Sequence, residues 1–120
     1  MPKIGKLVSH LPYFESVEGR GTASMVKEAN LFYVDYEEGL RSFVADFHDS
    51  GIADTSYTET LANAGIRSSD EMASAIPAAD EAVLRAMLTQ MVREERFSSG
   101  ALARYANDGV IAEVLRRLSE

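Results

Sequence analysis

Apolar side chains recur at helical spacing along most of this chain. The clearest stripe runs through Leu84, Met87, Leu88 and Met91, and its i, i+3, i+4, i+7 spacing is typical of one helix face. Three further stripes have the same spacing and run from Ile4 to Leu11, from Leu40 to Phe47 and from Ile111 to Leu118. Since each stripe must be covered by another element, the sequence predicts an all-α fold, a compact bundle of about five to six short helices.

Polar and glycine residues indicate where several of these helices begin and end. Asp35 is the predicted N-cap of the helix that carries Leu40, and Glu38 is its predicted capping-box partner. Gly51 is expected to end that helix, and Pro12 is expected to stop the first one.

The region 13–35 lacks a helical period. It contains a glycine-bearing stretch, SVEGRGTAS, followed by a short aromatic run, NLFYVDY, which is typical of an extended segment. A single short strand cannot form a sheet, so the prediction here is at most one extended aromatic segment packed on the helices.

The length and composition indicate one soluble domain. With 120 residues the chain can bury one core but not two, so we predict a single domain spanning 1–120. It has no cysteine, which excludes disulfides and thiolate metal sites. We expect no membrane span and no signal peptide, because the N-terminal apolar run is broken by His10 and Pro12. The expected location is therefore cytoplasmic.

The net charge of −7 is concentrated in the middle of the chain. Residues 28–66 contain eight acidic residues and one basic residue, Arg41, which gives this region a local net charge of −7. Direct binding to nucleic acid requires a basic surface, so this distribution argues against it. It permits a partner protein with a basic surface, although an acidic surface that only keeps the protein soluble has the same composition.

Glu95 occupies a position where the stripe of Leu84 to Met91 would continue with an apolar residue. An isolated buried charge is costly, so this carboxylate must be paired or hydrogen-bonded. We expect it to accept hydrogen bonds from the backbone at the start of the next helix, near Ser98 or Ser99, or to pair with Arg93 or Arg96. Phe97 is expected to anchor the following turn in the core.

The stretch LRAMLTQMVREERFSSGALARYANDGVIAEVLRRL, together with LPYFES and FVADFHDSGI, resembles an uncharacterised family of small bacterial and phage-associated proteins. The family pattern is a leucine-rich helix, an arginine, a variable residue, an acid, Arg-Phe and a glycine three residues later. Here the pattern falls on Arg93, Glu95, Arg96, Phe97 and Gly100. The resemblance implies histidines just after two glycines, and this chain has Ala101 and Val110 there. It implies a domain type without an activity.

Other candidate sites are sparse. His48, Asp49 and Asp46 are the densest group of metal-ligand types, but helical geometry puts His48 and Asp49 near the solvent side and points Asp46 elsewhere, so we expect no metal site. No serine or glycine pattern matches a nucleophile elbow or a phosphate loop, and we expect no cofactor. An enzyme with a pocket built from His10, His48, Arg93 and Glu95 is the alternative function.

The leading prediction is a non-enzymatic protein-interaction module or inhibitor that binds a basic partner through an acidic surface. One form of it is a phage-type inhibitor that imitates the charge of nucleic acid and blocks a nucleic-acid-handling host complex. A homodimer is a third possibility. The predicted partner-binding residues are Asp35, Tyr36, Glu37, Glu38, Asp46 and Asp49, and the predicted structural residues are Arg93, Glu95, Arg96, Phe97 and Gly100.

Overall fold

The computed structural model describes residues 4–19, 23–28, 31–36, 38–95, 97–98 and 100–120. Within these ranges there are eight α-helices, one 3-10 helix and two strands. The elements are α1 (Ile4–Val8), α2 (Leu11–Val17), β1 (Ala23–Glu28), β2 (Leu31–Tyr36), α3 (Glu38–Ser50), α4 (Tyr57–Asn63), α5 (Ser69–Ala75), a 3-10 turn (Ile76–Ala78), α6 (Glu81–Glu94), α7 (Ala101–Asn107) and α8 (Val110–Leu118).

The predicted bundle of short helices is confirmed, although the described helices outnumber the predicted five to six. One reason is Pro12, which lies in the first turn of α2 and does not simply stop α1. Proline suits this position because its missing N–H is one of those that a helix start leaves unpaired. The predicted single N-terminal helix is therefore two short ones.

The extended segment predicted within the aromatic run is present as β2. It pairs antiparallel with β1, with Ala23 opposite Tyr36 and Glu28 opposite Leu31. The pairing was not predicted, because residues 16–24 were interpreted as a loop and residues 25–28 were not assigned to a strand. It also corrects the predicted capping box, since Asp35 lies in β2 and α3 begins at Glu38.

The core is built around α6, which packs against α4, α7 and α8. All four members of its predicted stripe, Leu84, Met87, Leu88 and Met91, are buried. The helix begins at Asp80, whose carboxylate accepts a hydrogen bond from the Val83 amide.

A second part of the core joins the N-terminal helices to α3 and α8. The rings of Phe14 and Phe43 meet edge to face with their centroids 4.8 Å apart, and both are fully buried. His10 adds a similar contact to Phe43 at 5.6 Å. No helix in the described ranges is long and apolar enough to cross a membrane.

Gly39 and Gly5 each occupy the second position of a helix, yet their surroundings differ. A Cβ atom at Gly39 would lie 2.6 Å from Cζ of Tyr13, whereas a Cβ atom at Gly5 would meet open space. Replacing a helical glycine by alanine ordinarily stabilises a protein by about 0.5–1 kcal/mol. We therefore expect Gly5→Ala to raise or maintain the melting temperature and Gly39→Ala to lower it, as measured by circular dichroism. Equal effects of the two substitutions would contradict the close packing of Tyr13 on α3.

Candidate functional site

The carboxylate of Glu95 connects the end of α6 to the start of α7. Its Oε2 accepts a hydrogen bond from the Gly100 amide at 3.0 Å, and its Oε1 accepts one from the Leu102 amide at 2.9 Å. These amides belong to the group that a helix start leaves without backbone partners. The predicted capping role of Glu95 is therefore confirmed.

Gly100 allows this connection to form. It is the N-cap of α7, in place of the predicted Ser98 or Ser99, and its φ of 93° is in the left-handed region that favours glycine. It contributes no side-chain cap. Because the previous helix supplies the acceptor, the turn needs a conformationally permissive residue more than a capping hydroxyl.

Arg93 stabilises a different contact. Its guanidinium carbon lies 5.6 Å from the centre of the Tyr57 ring, a cation–π contact that connects α6 to α4. A structural role for Arg93 is thus visible, although it differs from the predicted pairing with Glu95. Arg96 lies outside the described residues.

The prediction that Phe97 lies in the core is wrong, because its side chain is 88% exposed. The helix ends at Glu94, so the period that buries Leu84 to Met91 no longer determines where Phe97 points. The Phe97 amide donates to the Glu94 carbonyl at 3.0 Å, which fixes the backbone of the turn. Phe97 is thus a large apolar side chain that faces solvent.

An apolar pocket of about 220 Å³ lies beside this turn. Leu40 and Val44 of α3, Leu102 of α7, Arg41 and Glu95 line it. Glu95 lines the pocket and lies two residues before Phe97 in the chain. We call Phe97 and this pocket together the turn surface.

Two of the predicted partner-binding carboxylates, Asp46 and Asp49, contact the side chain of Lys6 in α1, and Asp46 also contacts His10. Asp46 lies 2.6 Å from Nε2 of His10 and 3.3 Å from Nζ of Lys6, and Asp49 lies 3.4 Å from the same Nζ. The hydrogen bond from His10, followed by the hydrogen bond and charge of Lys6, lowers the pKa of Asp46 below its ordinary value despite partial burial. Hydrogen bonds and charges from Asp46 and Asp49 raise the pKa of Lys6. Both carboxylates thus contact basic side chains of the same chain, and their role in binding stays a prediction.

The other predicted partner-binding residues surround the start of α3. Glu38 is exposed in the first turn of the helix, two residues before Leu40 of the pocket. Asp35 and Tyr36 lie at the end of β2, where the structure describes the backbone, and Glu37 lies outside the described residues. Their role in binding stays a prediction.

The four residues of the alternative enzyme pocket are engaged in separate contacts. His10 contacts Asp46 and Phe43, whereas Arg93 lies over Tyr57 and Glu95 caps α7. His48 is exposed and lies edge to face against Phe47. Across the described ranges, no three histidine, aspartate or glutamate side chains converge as a potential metal site.

A larger cleft of about 300 Å³ was not predicted. Its polar lining includes Arg67, Gln90, Glu94 and Tyr105, which come from a loop, α6 and α7. No short sequence motif contains these residues. Only the packing of α7 against α6 brings them together, so periodicity could not reveal the cleft.

Glu95→Gln should destabilise the fold, because the amide nitrogen that replaces one oxygen cannot accept a backbone hydrogen bond. We expect a loss of about 1–2 kcal/mol, seen as a melting temperature several degrees lower. Glu15→Gln is the matched control, since Glu15 forms an exposed ion pair with Arg116 at 3.2 Å. Such pairs contribute about 0–1 kcal/mol. Equal losses in the two variants would contradict the capping role.

The ion pairs of Asp46 should make stability depend on pH. Because the folded-state pKa of Asp46 lies below 3.8, its contribution is present above pH 3.8 and disappears as the pH falls through the folded-state value. Asp46→Asn should therefore lower the melting temperature near neutral pH and make little difference well below pH 3.8. Thermal unfolding of both proteins across this range measures the effect. A difference that stays constant with pH would argue against it.

The chain belongs to a family described as a family of unknown function, DUF6508, whose model matches residues 2–120. The resemblance to an uncharacterised family is thereby confirmed. No curated protein and no solved structure matches the chain. Its function must therefore be argued from its own side chains.

Proposed function

We propose that this member of the DUF6508 family is a non-enzymatic protein-interaction module that binds a basic partner protein through its turn surface. The observation that carries the proposal is the 88% exposure of Phe97, whose backbone amide is hydrogen-bonded to the Glu94 carbonyl. Large aromatic side chains at the centre of an interface are typical residues of high binding energy.

Phe97 offers both apolar area and a fixed position. Burying a phenyl side chain contributes about 1.5–3 kcal/mol relative to leaving it in water. The hydrogen bonds from Gly100 and Leu102 to Glu95 constrain the turn before any partner arrives. Less conformational entropy is therefore lost on binding, which favours affinity.

The pocket near Phe97 would receive a side chain of the partner, while Phe97 itself would enter a depression on the partner. Leu40, Val44 and Leu102 give it an apolar lining, which favours an apolar side chain from the partner. The partner chemistry that fits is thus a protruding apolar side chain together with a depression that receives Phe97.

Charge is the second support for the proposal. The chain has a net charge of −7, and Glu38 is exposed in the first turn of α3. A basic partner would be attracted at long range, mainly through a faster association rate. Asp35, Tyr36 and Glu37 precede Glu38 in the sequence and stay predicted binding residues.

An inhibitor that occupies the phosphate-binding groove of a nucleic-acid-handling protein is one form of this function. Such imitation needs several uncompensated carboxylates in a row. Lys6 and His10 compensate Asp46 and Asp49, so the proposal rests more on Phe97 than on the acidic residues of α3.

Affinity purification with the tagged protein, at low and high salt, tests this function when the variants are compared side by side. Phe97→Ala should lower the recovery of a basic partner by roughly tenfold or more and leave the melting temperature unchanged. Glu38→Gln should weaken capture less, and mainly at low salt. Glu15→Gln, on α2, should bind as the wild type does.

Undiminished capture by Phe97→Ala would contradict the turn surface as the binding site. A mass in solution that rises with concentration in the wild type but not in Phe97→Ala would also contradict the proposal, because the partner would then be a second copy of the chain. Light scattering on both proteins separates these outcomes.

A further inference from the structure

The cleft between α4, α5, α6 and α7 has an apolar floor. Leu61, Ile66 and Met72 line it and are all buried, with Met72 only 1% exposed. The volume of about 300 Å³ is at the lower end of the range for small-ligand sites. An apolar group that entered the cleft would therefore lose water on several sides.

One margin of the cleft carries solvent-exposed hydrogen-bond donors that no other described residue engages. In the described part of the chain, neither the guanidinium of Arg67 nor the hydroxyl of Ser69 contacts an acceptor. The neighbouring Ser68 is already used, because its Oγ accepts the Glu71 amide at 3.1 Å. The available donors are thus a guanidinium and a hydroxyl two residues apart.

The carboxylate of Glu94 on the opposite margin is already satisfied. It accepts hydrogen bonds from Arg104 at 3.0 Å, from the Tyr105 hydroxyl at 2.9 Å and from Gln90 at 3.3 Å. Burial and the adjacent Glu94 raise the pKa of Tyr105, so the phenol stays protonated and donates at neutral pH. The charge of Glu94 is therefore compensated within the fold and presents little repulsion to an anion at Arg67.

Other acids near Arg67 line a different depression. Asp70 and Glu71 lie with Ala64 and Gly65 on a shallow surface next to the cleft. The Oε1 atom of Glu71 accepts the backbone amide of Arg67 at 2.9 Å, which orders the loop and leaves the guanidinium available. The cleft thus combines an available cationic group, an apolar floor and a neutralised acid.

We propose that this cleft binds a small carboxylate ligand with an apolar body. The carboxylate pairs with the guanidinium of Arg67, and the body lies over Leu61 and Ile66. Arginine suits this role because its planar fork matches the two oxygens of a carboxylate. A cationic ligand would need an uncompensated acid, and Glu94 does not provide one.

This site is separate from the turn surface. The cleft is lined by α4, the loop before α5, and the faces of α6 and α7 that carry Glu94 and Tyr105, whereas the pocket beside Phe97 is lined by α3 and Leu102. Ligand binding and partner binding can therefore succeed or fail independently in experiments.

Titration of the full chain with 4-methylpentanoate, followed by amide nitrogen–proton NMR, tests the site. We expect saturable shifts at lining residues such as Thr58, Arg67 and Gln90, small shifts at Phe97 and Val44 of the turn surface, and weaker binding as salt is added. The neutral analogue 4-methylpentanamide has the same apolar body and should bind at least about tenfold more weakly. Arg67→Gln should lower the affinity for 4-methylpentanoate by a similar factor.

Arg116→Gln is the matched control, because Arg116 pairs with Glu15 and lies outside the cleft. It should bind 4-methylpentanoate as the wild type does. The proposal is overturned by shifts that do not saturate, by equal affinity for the acid and the amide, or by unchanged affinity in a folded Arg67→Gln variant.

Discussion

Two hydrogen bonds, from the amides of Gly100 and Leu102 to the carboxylate of Glu95, determine where α7 begins. The donors are unpaired amides of a helix start, and the acceptor comes from the end of the preceding helix. Each partner satisfies a need of the other, because an unpaired carboxylate at this half-buried position would be costly. The start of α7 is therefore determined by Glu95, a charged residue at a position where the helical period predicts an apolar one.

Both candidate surfaces depend on the position of α7. Leu102, in its first turn, lines the pocket beside Phe97, and Tyr105, one turn later, lines the cleft that contains Arg67. Tyr105 is only 4% exposed and holds Glu94 of α6 through its hydroxyl. A shift of α7 would change the shape of the pocket and the charge balance of the cleft together, so a single capping contact supports two distinct surfaces.

Local sequence patterns predicted those features of the fold that depend on residues close together in the sequence. The stripes on α3, α6 and α8 were predicted from their period, and the bonding of Glu95 from one charged residue within an apolar pattern. Phe97 was placed wrongly because the helical period ends with α6. The pairing of β1 with β2 was missed because residues 23–28 have no clear strand pattern. The compensation of Asp46 by His10 joins residues 36 positions apart, and no local rule reports such a contact.

Amide hydrogen exchange at Gly100 and Leu102, compared between the wild type and Glu95→Gln, tests the central claim most directly. The account predicts that both amides are protected in the wild type and exchange much faster in the variant, while the amides of buried Leu88 and Met91 keep their protection. Equal exchange of Gly100 and Leu102 in the two proteins would show that another contact fixes the start of α7.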